Sequence, residues 1–213
     1  MKLSQPTGVP RGAQPRLLAR FPGSGISYRF GSLTDTPAMN TSVRTVFHGR
    51  VLTLNLERVT LPNGVLTELE IAHHPGGAAI VALDPAGRVC LLRQFRHATG
   101  RWITELPAGK IDNREPPLEC ARRELAEEAG VCAARWGKLG EFFSSPGVLT
   151  EVIHVFLAQE LVPVQSQPEA HEVFEVHWVA LPEALAMATD GRIEDAKTLV
   201  GLFWASAALA AAA

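Results

Sequence analysis

The feature that most restricts the fold of this chain is the segment GKIDNREPPLECARRELAEEAGV at residues 109–131. Pro116 and Pro117 suit a first helical turn, where a missing N–H leaves no helical hydrogen bond unmade, and Gly130 suits the position just past a helix end. We therefore predict a helix over residues 116–129. Its apolar residues recur at helical spacing, which predicts one face packed on a core. They are Leu118, Ala121, Leu125 and Ala129.

Strand patterns separated by tight turns surround this helix. The pair Asn63-Gly64 supplies the positive φ angles of a hairpin turn, and residues 84–87 mark a second turn. Strands that dominate, with helices inserted at intervals, indicate an α+β fold. The predicted strands are 51–56, 58–61, 65–72, 77–83, 88–95, 102–106, 140–144, 152–161 and 173–179, and the further helices are 182–189 and 193 to the end.

The chain divides by composition into a leader and a folded part. Residues 1–40 are rich in Pro, Gly, Ser and Arg, have no acidic residue before Asp35, and predict a flexible leader. Two alternatives are an organelle transit peptide and an upstream extension of a chain that starts at Met39. We expect N-terminal strands over residues 41–75 and the main domain over residues 76–213.

Composition also limits the class of protein. A chain of 213 residues, 46% of them hydrophobic, has enough material for one core, and a net charge of -2 offers no basic field for nucleic acid. Three cysteines without a CxxC pair fit a reducing compartment. No apolar run approaches the roughly 18 residues of a membrane span. We therefore expect a cytoplasmic protein that binds neither nucleic acid nor membrane.

Three glutamates of the predicted helix form an acidic group. Glu124, Glu127 and Glu128 stand at positions i, i+3 and i+4, so their side chains are neighbours. Like charges at this spacing destabilise a helix, and a hard divalent cation would offset their repulsion. Mg²⁺ is bound by one or two carboxylates together with water and substrate phosphates. The alternative is a solvated acidic face balanced by Arg123, four residues before Glu127.

The wider spacing of this segment resembles the Nudix box at every position that the motif specifies. Gly109 is followed after five residues by Glu115, and after seven more by the run RELAEEAGV, which starts at Arg123. The resemblance implies a Nudix fold, an α/β/α sandwich of mixed sheet, here with an N-terminal antiparallel β accessory region. It also implies a pyrophosphohydrolase that uses Mg²⁺, with Mn²⁺ as the alternative ion. The implied metal ligands are the carbonyl of Ala108 and the side chains of Glu124, Glu127 and Glu128.

The same resemblance assigns two catalytic roles within the box. Arg123 would orient the box carboxylates, and Glu127 is a candidate catalytic group as well as a ligand. Outside the box, the polar stretch QSQPEAHE at residues 165–172 aligns with a loop in which a glutamate orients or deprotonates the attacking water. Glu172 aligns best and Glu169 is second, while a solvated loop without a catalytic part is the alternative.

The residues on either side of the box are similar to the ADP-ribose pyrophosphatase branch of this family. They are LLRQFR at 91–96, ELPAGKI at 105–111, SSPG at 144–147, and Glu151. The branch carries a proline about sixteen residues after the box, where this chain has Pro146. The resemblance implies hydrolysis of ADP-ribose to AMP and ribose 5-phosphate. Its implied substrate-binding residues are Arg93, Arg96, Glu105 and Pro146.

Several alternatives stay open at this point. Arg96 as a surface arginine and Glu105 as a strand-end charge are the simpler interpretations of those two residues. GDP-mannose, or a broad range of nucleoside diphosphate compounds, is the rival substrate. A non-catalytic nucleotide sensor is the rival class. Sensors of that kind carry an added DNA-binding module or a broken box, whereas the box of this chain has all of its glutamates. No histidine shows metal-ligand spacing with cysteine or carboxylate, so we predict that His73 and His74 are structural.

The N-terminal strands are surplus to a minimal Nudix sandwich. By resemblance, residues 46–72 exchange across a two-fold axis and build part of the partner's nucleotide site, which predicts a homodimer. The alternative is a monomer with a small accessory sheet. The expected ligand in either state is a small nucleoside diphosphate sugar.

Overall fold

The computed structural model describes residues 39–167 and 173–212. The predicted leader lies outside these ranges except for its last two residues, which belong to the first strand. The loop acids Glu169 and Glu172 also lie outside them. Within the described ranges, no helix combines the length and the apolar character needed to cross a membrane.

The described chain contains ten strands and three helices, and the predicted α+β class is confirmed. The strands are β1 (Met39–His48), β2 (Thr53–Thr60), β3 (Leu66–His73), β4 (Gly77–Ala82), β5 (Arg88–Arg96), β6 (Arg101–Glu105), β7 (Ala108–Lys110), β8 (Val131–Phe143), β9 (Val152–Pro163) and β10 (Phe174–Ala180). The helices are α1 (Pro117–Ala129), α2 (Leu181–Thr189) and α3 (Ala196–Ala212). Three sheets have the orders β1-β2-β3, β10-β5-β6 and β7-β4-β9-β8.

The described residues fall into two compact units. One holds the residues up to Ser42 together with Arg58–Glu68, and the other holds Val43–Glu57 and the chain from Leu69 onward. In the first unit, the predicted Asn-Gly turn is present, with Gly64 at a φ of 82° and its N–H bonded to the Leu61 carbonyl at 2.8 Å.

The second unit is built around β4, which is buried along its whole length. Ala78, Ile80 and Ala82 belong to one core cluster with α1, whereas Ala79 and Val81 belong to another with α2 and α3. Successive side chains of a strand point to opposite faces, so a strand with helices on both faces must be apolar throughout. β4 runs parallel to β9 and antiparallel to β7, which makes this the mixed sheet of an α/β/α sandwich.

Helix α1 ends where the sequence predicts and begins one residue later than predicted, at Pro117. Pro116 precedes it in an extended conformation, and Gly130 ends it in the left-handed conformation with a φ of 63°. Ala121 and Leu125 of the predicted apolar face are fully buried, and Leu118 and Ala129 pack at the edge of the same cluster. Because these residues occupy the core face, the helix turns its glutamates toward β7.

Several elements differ from the prediction. β1 was not among the predicted strands, and the predicted strands 51–56 and 58–61 form the single strand β2. β8 starts at Val131 rather than at residue 140, because it pairs with β9 along nearly all of its length. The three residues of β7 were not predicted as a strand, and they are held by pairing with β4. α3 starts at Ala196 rather than Ile193, because Asp195 accepts hydrogen bonds from the N–H and hydroxyl of Thr198 and so caps the helix.

Close contact between β8 and α3 depends on Gly140. A Cβ atom at this position would lie 2.6 Å from Cζ3 of Trp204, whereas a Cβ at Gly137 on the same strand would meet nothing within 4 Å. The Trp204 ring in turn packs edge-on against Phe142, with ring centroids 6.2 Å apart. The absence of a side chain at Gly140 therefore lets α3 approach the sheet and support Phe142.

We expect Gly140→Ala to lower the free energy of unfolding by about 1–3 kcal/mol, since the added methyl overpacks the Trp204 ring. The matched control, Gly137→Ala, should leave stability unchanged or raise it by up to about 1 kcal/mol through the unfolded state. Urea denaturation of both variants measures the difference. Equal effects at the two positions would contradict the packing assigned to Gly140.

Candidate active site

A cleft of about 560 Å³ lies in the second unit, beside β4 and the polar face of α1. Elements distant in sequence meet there. Residues of β4 and β7 line the cleft, and α1 and the start of α3 contribute charged side chains to it. The lining includes Arg50, His74, Gly77, Ala78, Arg96, Ala108, Gly109, Lys110, Asp112, Arg123, Glu124, Glu127, Phe142, Ser144, Glu151, Asp195 and Lys197.

The α1 glutamates lie against the backbone of β7. Glu128, only 2% exposed, accepts a hydrogen bond from the N–H of Ala108 at 2.8 Å. In an antiparallel strand the N–H and C=O of one residue point to the same side, so the Ala108 carbonyl also faces the helix. A side chain at Gly109 would overlap the Glu124 carboxylate. A glycine there is what allows that carboxylate to reach the strand.

Arg123 holds the loop before α1 to the helix. Its guanidinium donates to Glu124 at 2.7 Å and to Glu127 at 3.1 Å through one nitrogen, and to Glu115 at 2.8 Å and the Lys110 carbonyl at 3.2 Å through the other. Burial alone would lower the pKa of Arg123, but the hydrogen bonds to Glu115 and Glu124 outweigh it and raise the pKa above its usual range. The arginine is therefore charged at every physiological pH, and its role in orienting the box carboxylates stays a prediction.

The donor set fits a divalent ion with an open coordination shell. Among residues 39–167 and 173–212, no three acidic, histidine or cysteine side chains converge closely enough to hold an ion by themselves. One nitrogen of Arg123 donates to both Glu124 and Glu127, so the guanidinium bridges these two carboxylates in the structure. A carbonyl and a few carboxylates, completed by water and substrate phosphate, are the partial cage that Mg²⁺ uses.

Arg96, which is partly exposed, and the buried Glu105 form an ion pair with a third member that the sequence did not predict. Arg96 donates to both oxygens of Glu105, at 2.7 and 2.8 Å, and Lys197 at the start of α3 contacts the same carboxylate. Burial alone would raise the pKa of Glu105, but the Arg96 hydrogen bond and the Lys197 charge outweigh it and hold the pKa below 4.5. Glu105, 1% exposed, thus fixes two cations at the cleft edge.

The structure does not bring every predicted site residue into the cleft. Arg93 lies outside the lining, with its guanidinium 4.9 Å from the Trp102 ring centroid and 3.4 Å from Glu175. Pro146 is also outside the lining, although Ser144 and Glu151 from the same loop belong to it. The substrate-binding roles of Arg93 and Pro146 stay predictions.

The described ends of the loop that carries the predicted bases lie close to site residues. Ser166 and Gln167 donate to the Glu127 carbonyl at 2.6 and 3.2 Å, and the N–H of Phe95, next to Arg96, donates to the Val173 carbonyl at 3.0 Å. The described residues before and after the loop therefore lie at the C-terminal end of α1 and at the end of β5.

We expect Glu105→Gln to lower the free energy of unfolding at neutral pH by about 2–3 kcal/mol, because Lys197 and the partly exposed Arg96 lose their counter-charge. A carboxylate with a depressed folded pKa contributes stability above its unfolded pKa, here near 4.5, and loses it as the pH falls through the folded value. The difference from wild type should therefore shrink below that pH.

Denaturant titrations at several pH values measure this difference. The control is Glu175→Gln, which removes the carboxylate of a solvent-exposed pair with Arg93 and should produce no measurable change. A pH-independent loss in Glu105→Gln would show that the stability comes from packing rather than from the ion pair.

Comparisons with known proteins agree with this arrangement. A NUDIX domain is matched over residues 73–200. The chain is 41% identical over 155 residues to an ADP-ribose pyrophosphatase of Bacillus subtilis, covering 72% of this chain and 84% of the relative. It is 38% identical over 146 residues to a GDP-mannose pyrophosphatase of Yersinia enterocolitica, covering 64% and 76%.

The fold is also similar to a solved structure. A crystal structure of an ADP compounds hydrolase superposes with a TM-score of 0.72 at 22% identity, covering 82% of this chain and 95% of the other. This likeness supports the sandwich fold predicted from the box. The matched domain and the similarity to the Bacillus subtilis protein confirm the predicted family: this chain belongs to the NUDIX family.

Proposed function

We propose that this chain is a pyrophosphohydrolase that splits ADP-ribose with water into AMP and ribose 5-phosphate. The observation that carries the proposal is the meeting of two opposite charge groups in one cleft: the α1 carboxylates on β7, and the Arg96–Lys197 pair held by Glu105. A divalent ion needs the first group, and the diphosphate that it binds needs the second. The 41% identity to an ADP-ribose pyrophosphatase supports the choice of substrate.

Mg²⁺, with Mn²⁺ as the alternative, would be held by Glu124, Glu127, Glu128 and the Ala108 carbonyl. When bound, such an ion neutralises charge on phosphate oxygens and favours ionisation of water near them. The protein's own residues position these ligands. The absence of a side chain at Gly109 lets the Glu124 carboxylate approach the backbone of β7, and Arg123 links α1 to the loop before it through Glu115.

Arg96 is placed to bind the diphosphate. Two of its nitrogens are fixed by Glu105 and the side chain is 40% exposed, so the remaining donors are directed to the cleft that it lines. A guanidinium fixed in this way loses little entropy when it binds a phosphate. Lys197 adds a second cation beside it.

We propose a homodimer as the active form. In support, the N-terminal strands and their connecting turns expose large apolar side chains, which are typical of interaction sites. In the first unit these are Val65 and Leu66. In the second unit they are Val43, Val46, Phe47, Val51, Leu52 and Leu69.

A panel of nucleoside diphosphate sugars with Mg²⁺, read by release of AMP or GMP, tests the proposed substrate. We expect kcat/KM for ADP-ribose to exceed that for GDP-mannose by at least about tenfold, and Glu128→Gln to lower kcat by about a hundredfold or more. The glutamine still accepts the Ala108 hydrogen bond, so its melting temperature is the control for an intact fold.

Other outcomes of the panel separate the rival functions. Faster release of GMP from GDP-mannose would favour the substrate of the Yersinia relative. Tight binding of ADP-ribose without release of AMP would indicate the nucleotide sensor.

We propose that Glu172 activates the attacking water, with Glu169 as the alternative. The support comes from the described residues on either side of the loop, since Gln167 donates to the Glu127 carbonyl and the Val173 carbonyl accepts from Phe95, the neighbour of Arg96. If Glu172 is the base, Glu172→Gln should lower kcat by roughly 10²- to 10⁴-fold and leave KM almost unchanged. Steady-state kinetics of both glutamine variants and their double variant decides between the two. Turnover near wild type in all three would exclude a base from this loop and favour Glu127.

A further inference from the structure

His74 lies between β3 and β4 and lines the cleft, with 13% of its side chain exposed. Its Nδ1 accepts a hydrogen bond from the N–H of Gly76 at 3.0 Å. A neutral imidazole carries one proton, so a ring that accepts at Nδ1 donates at Nε2. The hydrogen-bond network thus assigns the proton of His74 to Nε2.

The charge state agrees with this assignment. Burial lowers the pKa of His74, although the negative charge of Glu151 opposes the shift and the positive charge of Lys110 adds to it. The ring is therefore neutral at pH 7. The Glu151 carboxylate lies 3.2 Å from Nδ1, so a proton there would replace the Gly76 hydrogen bond with an ion pair.

The Nε2 atom is available to a ligand. It has no hydrogen bond to any residue in the described ranges, and the only buried side-chain atom without a hydrogen-bond partner in those ranges is Nδ1 of His154. Nε2 of His74 is therefore an exposed donor on a residue that lines the cleft. An N–H donor of this kind binds an oxygen acceptor, either a phosphate oxygen or a sugar hydroxyl.

The ring is held in place by its backbone. The N–H of His74 donates to the Thr150 hydroxyl at 3.0 Å, which ties the residue to the loop before β9. Gly76 has a φ of 91°, and its carbonyl accepts from the N–H of Ile111, next to β7. The position of the imidazole is thus linked to the strand that carries Ala108.

We propose that His74 is a substrate-binding residue whose Nε2–H donates a hydrogen bond to an oxygen of the bound nucleotide sugar. The inference rests on the proposed function and adds a contact that neither the box nor its flanking motifs contain. His74 contributes to binding of the ground state and the transition state alike, because it is a fixed neutral donor that takes no part in the chemistry. Its loss should therefore raise KM and leave kcat nearly unchanged.

Two substitutions test the roles of the two ring nitrogens of His74 separately. His74→Asn retains an oxygen that accepts from the N–H two residues ahead, as in an Asx turn, but has no donor at the position of Nε2. His74→Gln places its amide near Nε2 as a donor and loses the Gly76 hydrogen bond. We expect the asparagine variant to melt near wild type with KM for ADP-ribose raised about tenfold. The glutamine variant should melt lower, with KM within about threefold of wild type.

A role confined to holding the Gly76 turn predicts the reverse order, with the glutamine variant more damaged in both readouts. That result, or an unchanged KM in His74→Asn, overturns the proposal. The matched control is His73→Asn, because His73 lies outside the cleft lining and bonds Glu57 at 2.5 Å. It should leave KM unchanged. If wild type hydrolyses no nucleotide sugar, the proposed function fails first and independently of these variants.

Inhibition by the two products identifies the acceptor. Weaker inhibition by ribose 5-phosphate alone in His74→Asn places the hydrogen bond on the sugar phosphate half, and weaker inhibition by AMP alone places it on the nucleotide half. Inhibition constants equal to wild type for both products, together with an unchanged calorimetric Kd for ADP-ribose in the slow Glu128→Gln background, would contradict a contact with either half.

Discussion

The arrangement of this site depends on the burial of carboxylates against backbone and cations. Glu128, Glu124 and Glu105 are 2%, 8% and 1% exposed, and an ionised group so far from water is stable only where hydrogen bonds or opposite charges surround it. The Ala108 N–H, Arg123 and the Arg96–Lys197 pair provide them. Because these partners come from β7, α1, β5 and α3, the cleft takes shape only when the sheet and both helix layers are in place.

The two charge groups differ in how ready they are for a ligand. Arg96 and Lys197 are fixed by a fully buried carboxylate, so a phosphate bound beside them would meet two cations already in position. Glu124 and Glu127 instead accept hydrogen bonds from Arg123, which already supplies positive charge beside them. A divalent ion bound by these two carboxylates would have to displace or share those hydrogen bonds.

Short stretches of sequence predicted the helices and strands whose ends or burial depend on their own residues. α1 carries its own start and stop residues, and β4 is apolar throughout, so both follow from short stretches of sequence. β8 is a strand because β9 pairs with it, and Lys197 reaches Glu105 across 92 positions of sequence, so neither follows from a local pattern. The different positions of Arg93 and Arg96 were predictable, because residues three apart on a strand point to opposite faces. The Nδ1 acceptor of His74 requires the Gly76 turn and has no signature in sequence.

The burial of β4 on both faces restricts how specificity can diverge in this fold. Gly77 and Ala78 line the cleft, but a larger side chain at Ala78 would enter the core that contains α1, and a Cβ atom at Gly77 would lie 2.9 Å from the Gly109 carbonyl oxygen of β7. Changes of substrate must then accumulate on the cleft walls, at the start of α3 and in the segment from Ser144 to Glu151, where side chains can vary without repacking a core. In directed evolution of this enzyme, libraries confined to these walls would preserve the folded scaffold, whereas libraries in β4 would select mainly for stability.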